Sequence, residues 1–442
     1  MNHEPTDHRS LAVVERPLAS LTPWKNNPRT HSKKQIRQIA ESLKQFGWTN
    51  PVLVDGEDGI IAGHGRVEAA KLLGMETAPT IRLADMTEAQ KRAYVIADNR
   101  LAEQAGWDDA LLAIEFQFLL DTELDFDISI IGFDMGDIDR ILGITIEGEG
   151  EEVELPEEDK PAVSQKGDVW TVGKHMIACG DCREAESYSA LLGSQKAAMI
   201  FTDPPYNVRV DGHVSGLGQI KHREFAMASG EMSKDQFTAF LREVFERLVD
   251  VSADGSIHFV CMDWRHMGEM LAASDGVYSE LKNLCVWAKT NAGMGSFYRS
   301  QHELVFAFKS GLAAHVNNFG LGEKGRHRSN LWTYAGANTF RADRMDDLKA
   351  HPTVKPSKMI ADAILDCSCR NDLILDVFAG SGATLVAAEQ TRRCGRAIEI
   401  DPQYVDLCVR RLEKLTGEKA LHHSGASFAE IAFDRLVLEA AA

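Results

Sequence analysis

Apolar and polar positions follow a helical period early in the chain. In residues 32–47, SKKQIRQIAESLKQFG, apolar side chains recur every three or four positions, which predicts an amphipathic helix. Ser32 is a residue type preferred at a helix N-cap, and Gly47 is the type preferred just after a last turn. The predicted buried face consists of Ile36, Ile39, Ala40, Leu43 and Phe46.

A glycine-rich turn follows this helix. Residues 51–74, PVLVDGEDGIIAGHGRVEAAKLLG, predict a strand, a turn, a short strand and then a glycine loop that opens a second helix. The backbone N–H groups of such a helix start, together with Arg66, favour an anion. The alternative is a tight strand-to-helix turn with Arg66 in solvent. Two further short helices are predicted in residues 107–120 and 132–142.

Residues 146–161, IEGEGEEVELPEEDKP, interrupt the periodic pattern. They are rich in Glu, Gly and Pro and have no apolar period, so we expect an extended, solvated linker. This linker separates a front part from a larger back part of the chain.

The back part contains two segments of the strand–loop type. Residues 197–206, AAMIFTDPPY, predict a buried strand that ends in an acid, two prolines and a tyrosine. Residues 372–390, DLILDVFAGSGATLVAAEQ, predict a strand, a Gly-x-Gly loop and a helix, and the next strand ends at Glu399. Open α/β sheets bind ligands at the carboxyl ends of their strands, so both loops are candidate site elements.

The first loop has the groups needed to clamp a planar amine. The prolines stiffen the loop, and a carboxylate at Asp203 with the Pro204 carbonyl would accept both hydrogens of an –NH₂ group. Tyr206 offers a flat face on which an aromatic ring could stack. The alternative is a strand-ending turn with Asp203 in solvent.

The second loop favours an adenosine-bearing cofactor. Gly380 and Gly382 allow the backbone to approach a ligand closely, but Leu385 stands where a dinucleotide fingerprint requires Gly or Ala. NAD and FAD are therefore weak candidates. Glu399 lies where an acid accepts hydrogen bonds from a ribose diol, so S-adenosylmethionine is the favoured cofactor.

Composition and net charge indicate the cellular location of the protein more than they indicate its reaction. The formal charge of −18 argues against indiscriminate binding to polyanions, although local basic patches remain compatible with DNA. A polar start, the absence of an apolar run of ~18 residues and eight scattered cysteines predict a cytoplasmic protein without a membrane span. Cys179 and Cys182 form a C-x-x-C motif without a second pair at zinc spacing, so no metal is expected.

Four motifs together resemble the DNA amino-methyltransferases that modify N6 of adenine or N4 of cytosine. They are CGDC at 179–182, DPPY at 203–206, HPTVKP at 351–356 and DVFAGSGAT at 376–384, within a likeness that covers most of residues 165–416. The catalytic motif precedes the cofactor loop, an order that resembles the β class, many of whose members dimerise. The resemblance implies an S-adenosylmethionine-dependent methyltransferase that acts on double-stranded DNA with a flipped-out base, in a homodimer.

The resemblance also assigns residues. The catalytic set is Asp203, Pro204, Pro205 and Tyr206. The cofactor set is Asp181, Thr353, Lys355, Asp376, Phe378, Gly380, Gly382, Thr384 and Glu399. Basic residues in the loops at 207–231 and 317–344 suit DNA contact, with solvated surface loops as the alternative, and the candidates are Lys221, Arg223, Lys324, Arg326, Arg328 and Arg341.

The front part resembles the ParB-type N-terminal domain, which shares a fold with sulfiredoxin. The likeness spans Leu18 to Leu101 and rests on NNPRTH at 26–31, FGWTNPVLV and IIAGHGRVEAAKLLG. The family usually has a glycine, a glutamate and two arginines where this chain has GHGR, which puts nucleotide hydrolysis in doubt. The resemblance implies a phosphate or DNA contact at His64, Gly65 and Arg66.

We therefore predict four regions. A small α+β ParB-like domain spans residues 10–145, the acidic linker 146–163, the methyltransferase domain 164–416 and a helical tail 417–442. The methyltransferase domain is expected to be α/β, with a mostly parallel sheet and helices on both faces. The favoured function is N6-adenine methylation of DNA in a restriction-modification or phage setting. The alternatives are N4-cytosine methylation, methylation of RNA or a glutamine amide, and a ParB-like DNA-binding protein with an inactive methyltransferase domain.

Overall fold

A computed structural model describes residues 11–122, 124–142, 161–208, 230–290, 297–319, 328–335 and 355–439. The chain forms two compact units, residues 1–142 and 143–442, and each is described by itself. The predicted linker at 146–163 lies largely outside the described residues, which resume at residue 161.

Unit 1 is a small α+β domain. Its strands are β1 (Val13–Pro17), β2 (Val52–Val54), β3 (Ile60–Ala62) and β4 (Thr77–Arg82), in the order β1-β4-β2-β3. Its helices are α1 (Lys33–Phe46), α2 (His64–Leu72), α3 (Glu88–Gln104), α4 (Asp109–Asp121) and α5 (Met135–Ile141). Only β2 and β4 run parallel, and β1 and β3 pair antiparallel at the two edges.

Helix α1 begins and ends as the sequence predicted. The Ser32 hydroxyl accepts a hydrogen bond from the Gln35 backbone N–H, and Gly47 ends the helix with φ 71°. Ala40 and Leu43 are buried beneath it, as expected. Phe46 was expected on the same buried face, but it is 51 % exposed and contacts the Phe126 ring edge-on, because the helix ends before its last turn is covered.

Unit 2 is built on one ten-stranded sheet. Its strands are β5 (Val169–Val172), β6 (His175–Cys179), β7 (Ala197–Thr202), β8 (Ser252–Met262), β9 (Glu280–Lys289), β10 (His302–Lys309), β11 (Leu331–Tyr334), β12 (Leu373–Asp376), β13 (Cys394–Glu399) and β14 (Leu421–His422). Their order is β11-β9-β10-β8-β7-β12-β13-β6-β5-β14. The five central strands from β8 to β6 are all parallel, and β10 runs antiparallel beside β8.

Helices cover both faces of this sheet. They are α6 (Ala185–Leu192), α7 (Lys234–Asp250), α8 (Met267–Ser274), α9 (Ser357–Cys367), α10 (Ala383–Gln390), α11 (Pro402–Thr416) and α12 (Phe428–Glu439). Helices α6, α7 and α8 share one buried cluster with the sheet, whereas α9 and α10 share another with its opposite face. The predicted methyltransferase fold is therefore confirmed.

The carboxy-terminal tail is part of the sheet rather than an appendage. Strand β14 pairs with β5 at the sheet edge, and Phe428 packs against the fully buried Trp170. Arg435 on α12 binds the buried Asp168 carboxylate through both terminal nitrogens, and its Nη1 also donates to the Val163 carbonyl at 2.8 Å. The sequence predicted the helix but not this docking, because the partners lie more than 250 residues away along the chain.

In the parts of the chain that the structure describes, no helix combines the length and the apolar character that a membrane span requires.

Replacing Arg435 tests this docking. Arg435→Ala leaves Asp168 buried without its cation, which we expect to lower the free energy of unfolding by about 2 kcal/mol, reduced from the full buried-pair penalty because Arg435 is partly exposed. Urea unfolding followed by circular dichroism measures the change.

The matched control is Lys166→Ala, which removes a cation that pairs with Glu184 on the surface. This control should leave the unfolding midpoint unchanged. Equal midpoints for the two variants would contradict a structural role for the tail.

Candidate active site

Carboxylates gather at one edge of the large sheet. The five parallel strands end side by side, and each delivers an acid at or just after its last residue. These acids are Asp263 after β8, Asp203 after β7, Asp376 in β12, Glu399 in β13 and Asp181 after β6. Strand β9 ends and β10 begins at the same edge, because β10 is antiparallel. This edge is where an open α/β sheet binds ligands.

The ammonium of Lys355 lies between two carboxylates. Its Nζ is 2.5 Å from Asp203 Oδ2 and 2.9 Å from Glu303 Oε2. Glu303 stands at the start of β10, and Lys289 at the end of β9 pairs with its other oxygen. Two lysines and two acids thus form one network across β7, β9, β10 and the segment before α9.

Tyr206 belongs to this network through its hydroxyl. The hydroxyl lies 2.7 Å from Asp203 Oδ1 and 3.1 Å from Glu303 Oε2, so its single hydrogen is shared between two acceptors. The ring is half-buried against the core, and the Lys355 ammonium lies 5.4 Å from its centre. The motif's tyrosine is therefore fixed at both its ring and its hydroxyl.

Burial and the neighbouring lysines have opposite effects on the pKa values of Asp203 and Glu303. Burial raises the pKa of Asp203, the Lys355 ammonium opposes this shift, and the Glu303 charge adds to it. Burial also penalises a charged Glu303, but Lys355 and Lys289 hold its pKa down to about 2. The same two carboxylates raise the pKa of Lys355 although burial opposes its charge. Asp203 is consequently the member of the network that most readily takes up a proton.

Asp203 also remains accessible. Its side chain keeps 26 % of its surface, whereas those of Lys355 and Glu303 keep 7 % and 14 %. A polar group that approaches this edge therefore meets the Asp203 carboxylate before the buried pair behind it.

Sequence reasoning missed Glu303 and Lys289. Lys289 follows the apolar run 284–288 of β9, and Glu303 precedes the apolar run 304–308 of β10. Glu303 pairs in register with Trp287, two residues before Lys289. Residues two apart share a face of a strand, so the sequences WAK and HEL carried a weak signal of this pair. Lys355 was predicted as a cofactor residue; its ammonium pairs with Asp203 and Glu303, and the cofactor contact stays a prediction.

Asn207 completes the DPPYN turn. It adopts a left-handed backbone with φ 52°, a conformation that asparagine tolerates better than most residues. Its side-chain amide donates to the Met232 carbonyl at 2.8 Å and accepts from the Gly230 and Met232 N–H groups. The Asn207 side chain thereby joins the end of the motif to residues 230–232.

A buried carboxylate joins the catalytic strand to the glycine loop. Asp376 accepts hydrogen bonds from the hydroxyls of Thr202 at 2.8 Å and Thr384 at 2.6 Å, and from the Phe378 N–H at 3.1 Å. Burial raises its pKa to about 6. Asp376 and Thr384, predicted as cofactor residues, are thus engaged in holding the loop in shape.

Glu399 supports the same loop from the next strand. Its two oxygens accept the N–H groups of Gly380 at 2.7 Å and Asp401 at 2.9 Å, and burial raises its pKa to about 7. Gly380 has φ +49°, and a Cβ added there would meet no other atom within 4 Å. An added Cβ at Gly382 would lie 2.8 Å from the Cys408 sulfur, so this second glycine is required by packing with α11.

Asp181 follows β6, the parallel strand at the other end of this edge from β8. Arg183 donates to its carboxylate through the backbone N–H and the guanidinium, at 2.6–3.0 Å, and these contacts lower its pKa against burial. The Gly180 N–H donates to the Glu399 carbonyl at 2.9 Å, which ties β6 to β13 beside the loop. Asp181, Glu399 and Gly380 are therefore neighbours at adjoining strand ends.

These residues fit a ligand that combines a positive charge with hydroxyl groups. Glu399 keeps unused lone pairs beside the open side of Gly380, and the loop has no arginine or lysine of its own in residues 376–384 that would favour a pyrophosphate. The carboxylate-rich edge favours a cation. Adenosine with a sulfonium group meets both conditions.

Several predicted residues lie outside the described part of the chain. They are Thr353, Lys221, Arg223, Lys324, Arg326 and Arg341. Arg328 is described, and its Nε binds Asp366 at 2.7 Å while its Nη1 donates to the Tyr334 hydroxyl at 3.1 Å. Because its charge is committed to this ion pair, we withdraw Arg328 from the predicted DNA contacts.

The GHGR residues of unit 1 make contacts within that unit. The His64 Nε2 accepts the Trp24 N–H at 3.1 Å, and Arg66 Nη1 donates to the carbonyls of Asn50 and Pro51. A Cβ at Gly65 would lie 3.1 Å from the His31 ring, which explains the glycine by packing. The phosphate or DNA contact stays a prediction.

The cysteine motif is packed rather than reactive. All eight cysteines are free thiols, Cys179 and Cys182 are buried, and burial raises the pKa of both thiols, to about 12 for Cys179. A cluster of Asp168, His422 and His423 has metal-ligand types within 4.8 Å of one another. Arg435 already neutralises Asp168 there, so the cluster gives no reason to revise the prediction of no metal.

Three family models match the chain. DNA methylase matches residues 197–410, the ParB N-terminal domain matches residues 2–100, and the ParB-methyltransferase HTH domain matches residues 110–166.

Two similar proteins represent the two kinds of domain. A ParB-like nuclease domain-containing protein, YnaK of Escherichia coli (strain K12), is 55 % identical over 82 residues, which are 19 % of this chain and 94 % of that protein. The type II methyltransferase M2.DpnII of Streptococcus pneumoniae is 27 % identical over 230 residues, 49 % of this chain and 82 % of that protein.

Among solved structures, the cytosine-N4-specific PvuII DNA methyltransferase covers 59 % of this chain and 94 % of its own, at 15 % identity and a TM-score of 0.42. A second solved structure is a putative DNA modification methylase from Thermus thermophilus, complexed with S-adenosyl-L-methionine. Its match covers 54 % of this chain and 93 % of the methylase chain, at 20 % identity and a TM-score of 0.37.

The DNA methylase match agrees with the strand-edge site and confirms the predicted S-adenosylmethionine cofactor. The chain therefore contains a DNA methylase domain of the N6/N4 type, with a ParB N-terminal domain ahead of it.

Proposed function

We propose that this protein is a site-specific DNA methyltransferase that methylates the N6 amine of adenine in a base rotated out of the duplex. The observation that carries the proposal is the partly exposed Asp203 carboxylate at the sheet edge, one strand from the glycine loop and joined to it through Thr202 and Asp376. An acceptor for an aromatic amine thus lies beside the cofactor loop.

Adenine is favoured because the family more often places Asp at the position of Asp203 for adenine and Ser for cytosine. The target amine is not reachable inside the base stack, so the base has to leave it. The predicted homodimer, the cytoplasmic location and the restriction-modification or phage setting stay predictions.

The cofactor residues divide into two groups. Glu399 has lone pairs available for ribose hydroxyls, Gly380 lets the backbone approach the ligand, and Asp181 lies one strand further for the adenine ring. Asp376, Thr384 and Gly382 support the loop from behind. When bound, S-adenosylmethionine supplies a methyl group on a positively charged sulfur.

The chain's own contribution is mainly positioning and electrostatics. Asp203 and the Pro204 carbonyl would accept the two amine hydrogens, which localises the nitrogen lone pair that the ring otherwise delocalises. After methylation the nitrogen carries an extra proton, and the raised pKa of Asp203 makes this carboxylate a suitable acceptor for it. Tyr206, fixed by Asp203 and Glu303, forms the wall on which the base rests.

Methyl transfer from labelled S-adenosylmethionine to unmethylated mixed-sequence DNA, followed by nucleoside mass spectrometry, tests the function. The expected product is N6-methyladenine. N4-methylcytosine would keep the site and change the base. An absence of any methylated nucleoside, with DNA binding retained but no cofactor binding, would favour the binding-protein alternative and contradict the proposal.

Removing the acceptor should separate chemistry from cofactor binding. We expect Asp203→Ala to lower the methyl-transfer rate by about 10³-fold or more, because both the hydrogen-bond acceptor and the proton acceptor are lost. The cofactor dissociation constant, measured by calorimetry, should change less than about threefold, since Asp203 contacts the amine rather than the ribose.

The matched control is Asp263→Asn, an acid at the same edge one strand away that caps the turn after β8. Its methyl-transfer rate should stay near that of the unaltered protein. A loss of cofactor affinity in Asp203→Ala as large as the loss of rate would rule out the assigned role.

A further inference from the structure

We propose that Phe297 and Tyr298 form a wedge that enters the DNA base stack when the target base leaves it. The proposal rests on the proposed function, because it assumes that the substrate is a base within duplex DNA. It adds a DNA-contacting element to that site.

The wedge lies in residues 297–301, which belong to the described part of the loop between β9 and β10. The loop is closed at its base by the Lys289 N–H, which donates to the Gln301 carbonyl at 2.9 Å, and by the Gln301 side chain, which donates back to the Lys289 carbonyl. Lys289 and Glu303, on the two strands beneath the loop, are members of the Asp203 network. Tyr298 and Phe297 therefore lie five and six residues before Glu303 in the chain.

Both rings are almost fully exposed. Phe297 keeps 89 % of its surface and Tyr298 keeps 82 %, and among the described residues Phe297 is the most exposed large hydrophobic side chain. The two rings contact each other edge-on with centroids 4.6 Å apart. Leaving two adjacent aromatic rings in water is unfavourable, so their position favours an apolar surface that covers them.

Duplex DNA with a displaced base supplies such a surface at this place. When a base rotates out, the neighbouring base pairs lose a stacking partner, and a flat side chain inserted there restores the contact. Arg299, exposed next to the pair, adds a positive charge suited to the adjoining phosphates. The loop leads into β10, whose Glu303 contacts Tyr206 and shares Lys355 with the acceptor Asp203, so one docking event would serve both.

A rescue experiment on the full chain tests the wedge. Once the methylated sequence is known, two oligonucleotide duplexes are compared, one with the complementary base opposite the target and one with an abasic site there. For Phe297→Ala/Tyr298→Ala we expect kcat/KM to fall about ten- to hundredfold on the paired duplex, since stacking on an inserted ring is lost. On the abasic duplex, where the target base leaves more easily, the loss should shrink to less than about threefold.

Two controls accompany the double variant. Tyr298→Phe keeps a ring at the same position and should retain the activity on both duplexes. Phe433→Ala removes an exposed aromatic side chain from α12, beside the opposite edge of the sheet, and should change neither rate.

Different failures have different meanings. No methyl transfer by the unaltered protein to DNA of any sequence, in the assay that precedes the choice of duplexes, would overturn the proposed function and the wedge with it. Normal activity in the unaltered protein with an equal loss on both duplexes in the double variant would overturn the wedge alone. A change in the sedimentation of the double variant in the absence of DNA would assign the aromatic pair to contacts between copies of the chain and also overturn the wedge.

Discussion

The shared ammonium of Lys355 is the interaction on which the catalytic edge depends. The partly exposed Asp203 and the more buried Glu303 both contact one ammonium, and two acids this close without a cation between them would repel each other. With Lys355 at 2.5 Å and 2.9 Å from them, and Lys289 on the far side of Glu303, the network is balanced in charge. Strands β7 and β9 can therefore end, and β10 can begin, at the same edge of the sheet.

The same edge explains how the acceptor and the cofactor loop come to adjoin. Parallel strands necessarily bring their carboxyl ends together, and the strand order places β7 next to β12 and β12 next to β13. The Asp376 carboxylate then joins Thr202 to the loop that Glu399 supports through the Gly380 N–H. Asp376 and Glu399, the two acids that support the loop, both accept hydrogen bonds, as expected for buried polar groups.

The elements that could be predicted from the sequence are those set by neighbouring residues. Helix α1, with its Ser32 cap, and the DPPY and glycine loops follow from local periodicity and turn chemistry, and the fold class follows from their alternation. The pairing of Lys355 with Asp203 joins residues 152 positions apart, and Glu303 comes from a different strand again. Local patterns do not specify such contacts, so the network and the docked tail required the structure.

The central claim is that Glu303 shares the Lys355 ammonium with Asp203, and that its negative charge offsets part of the effect of that ammonium on the Asp203 carboxylate. The pH profile of methyl transfer by Glu303→Gln tests it most directly, with Glu280→Gln, at the exposed start of β9, as the control. Because the Glu303 charge raises the pKa of Asp203, its removal should move the acidic limb of the profile to lower pH. The plateau should also fall, since Lys355 then pairs with Asp203 alone. A lower plateau with an unmoved acidic limb would contradict the account.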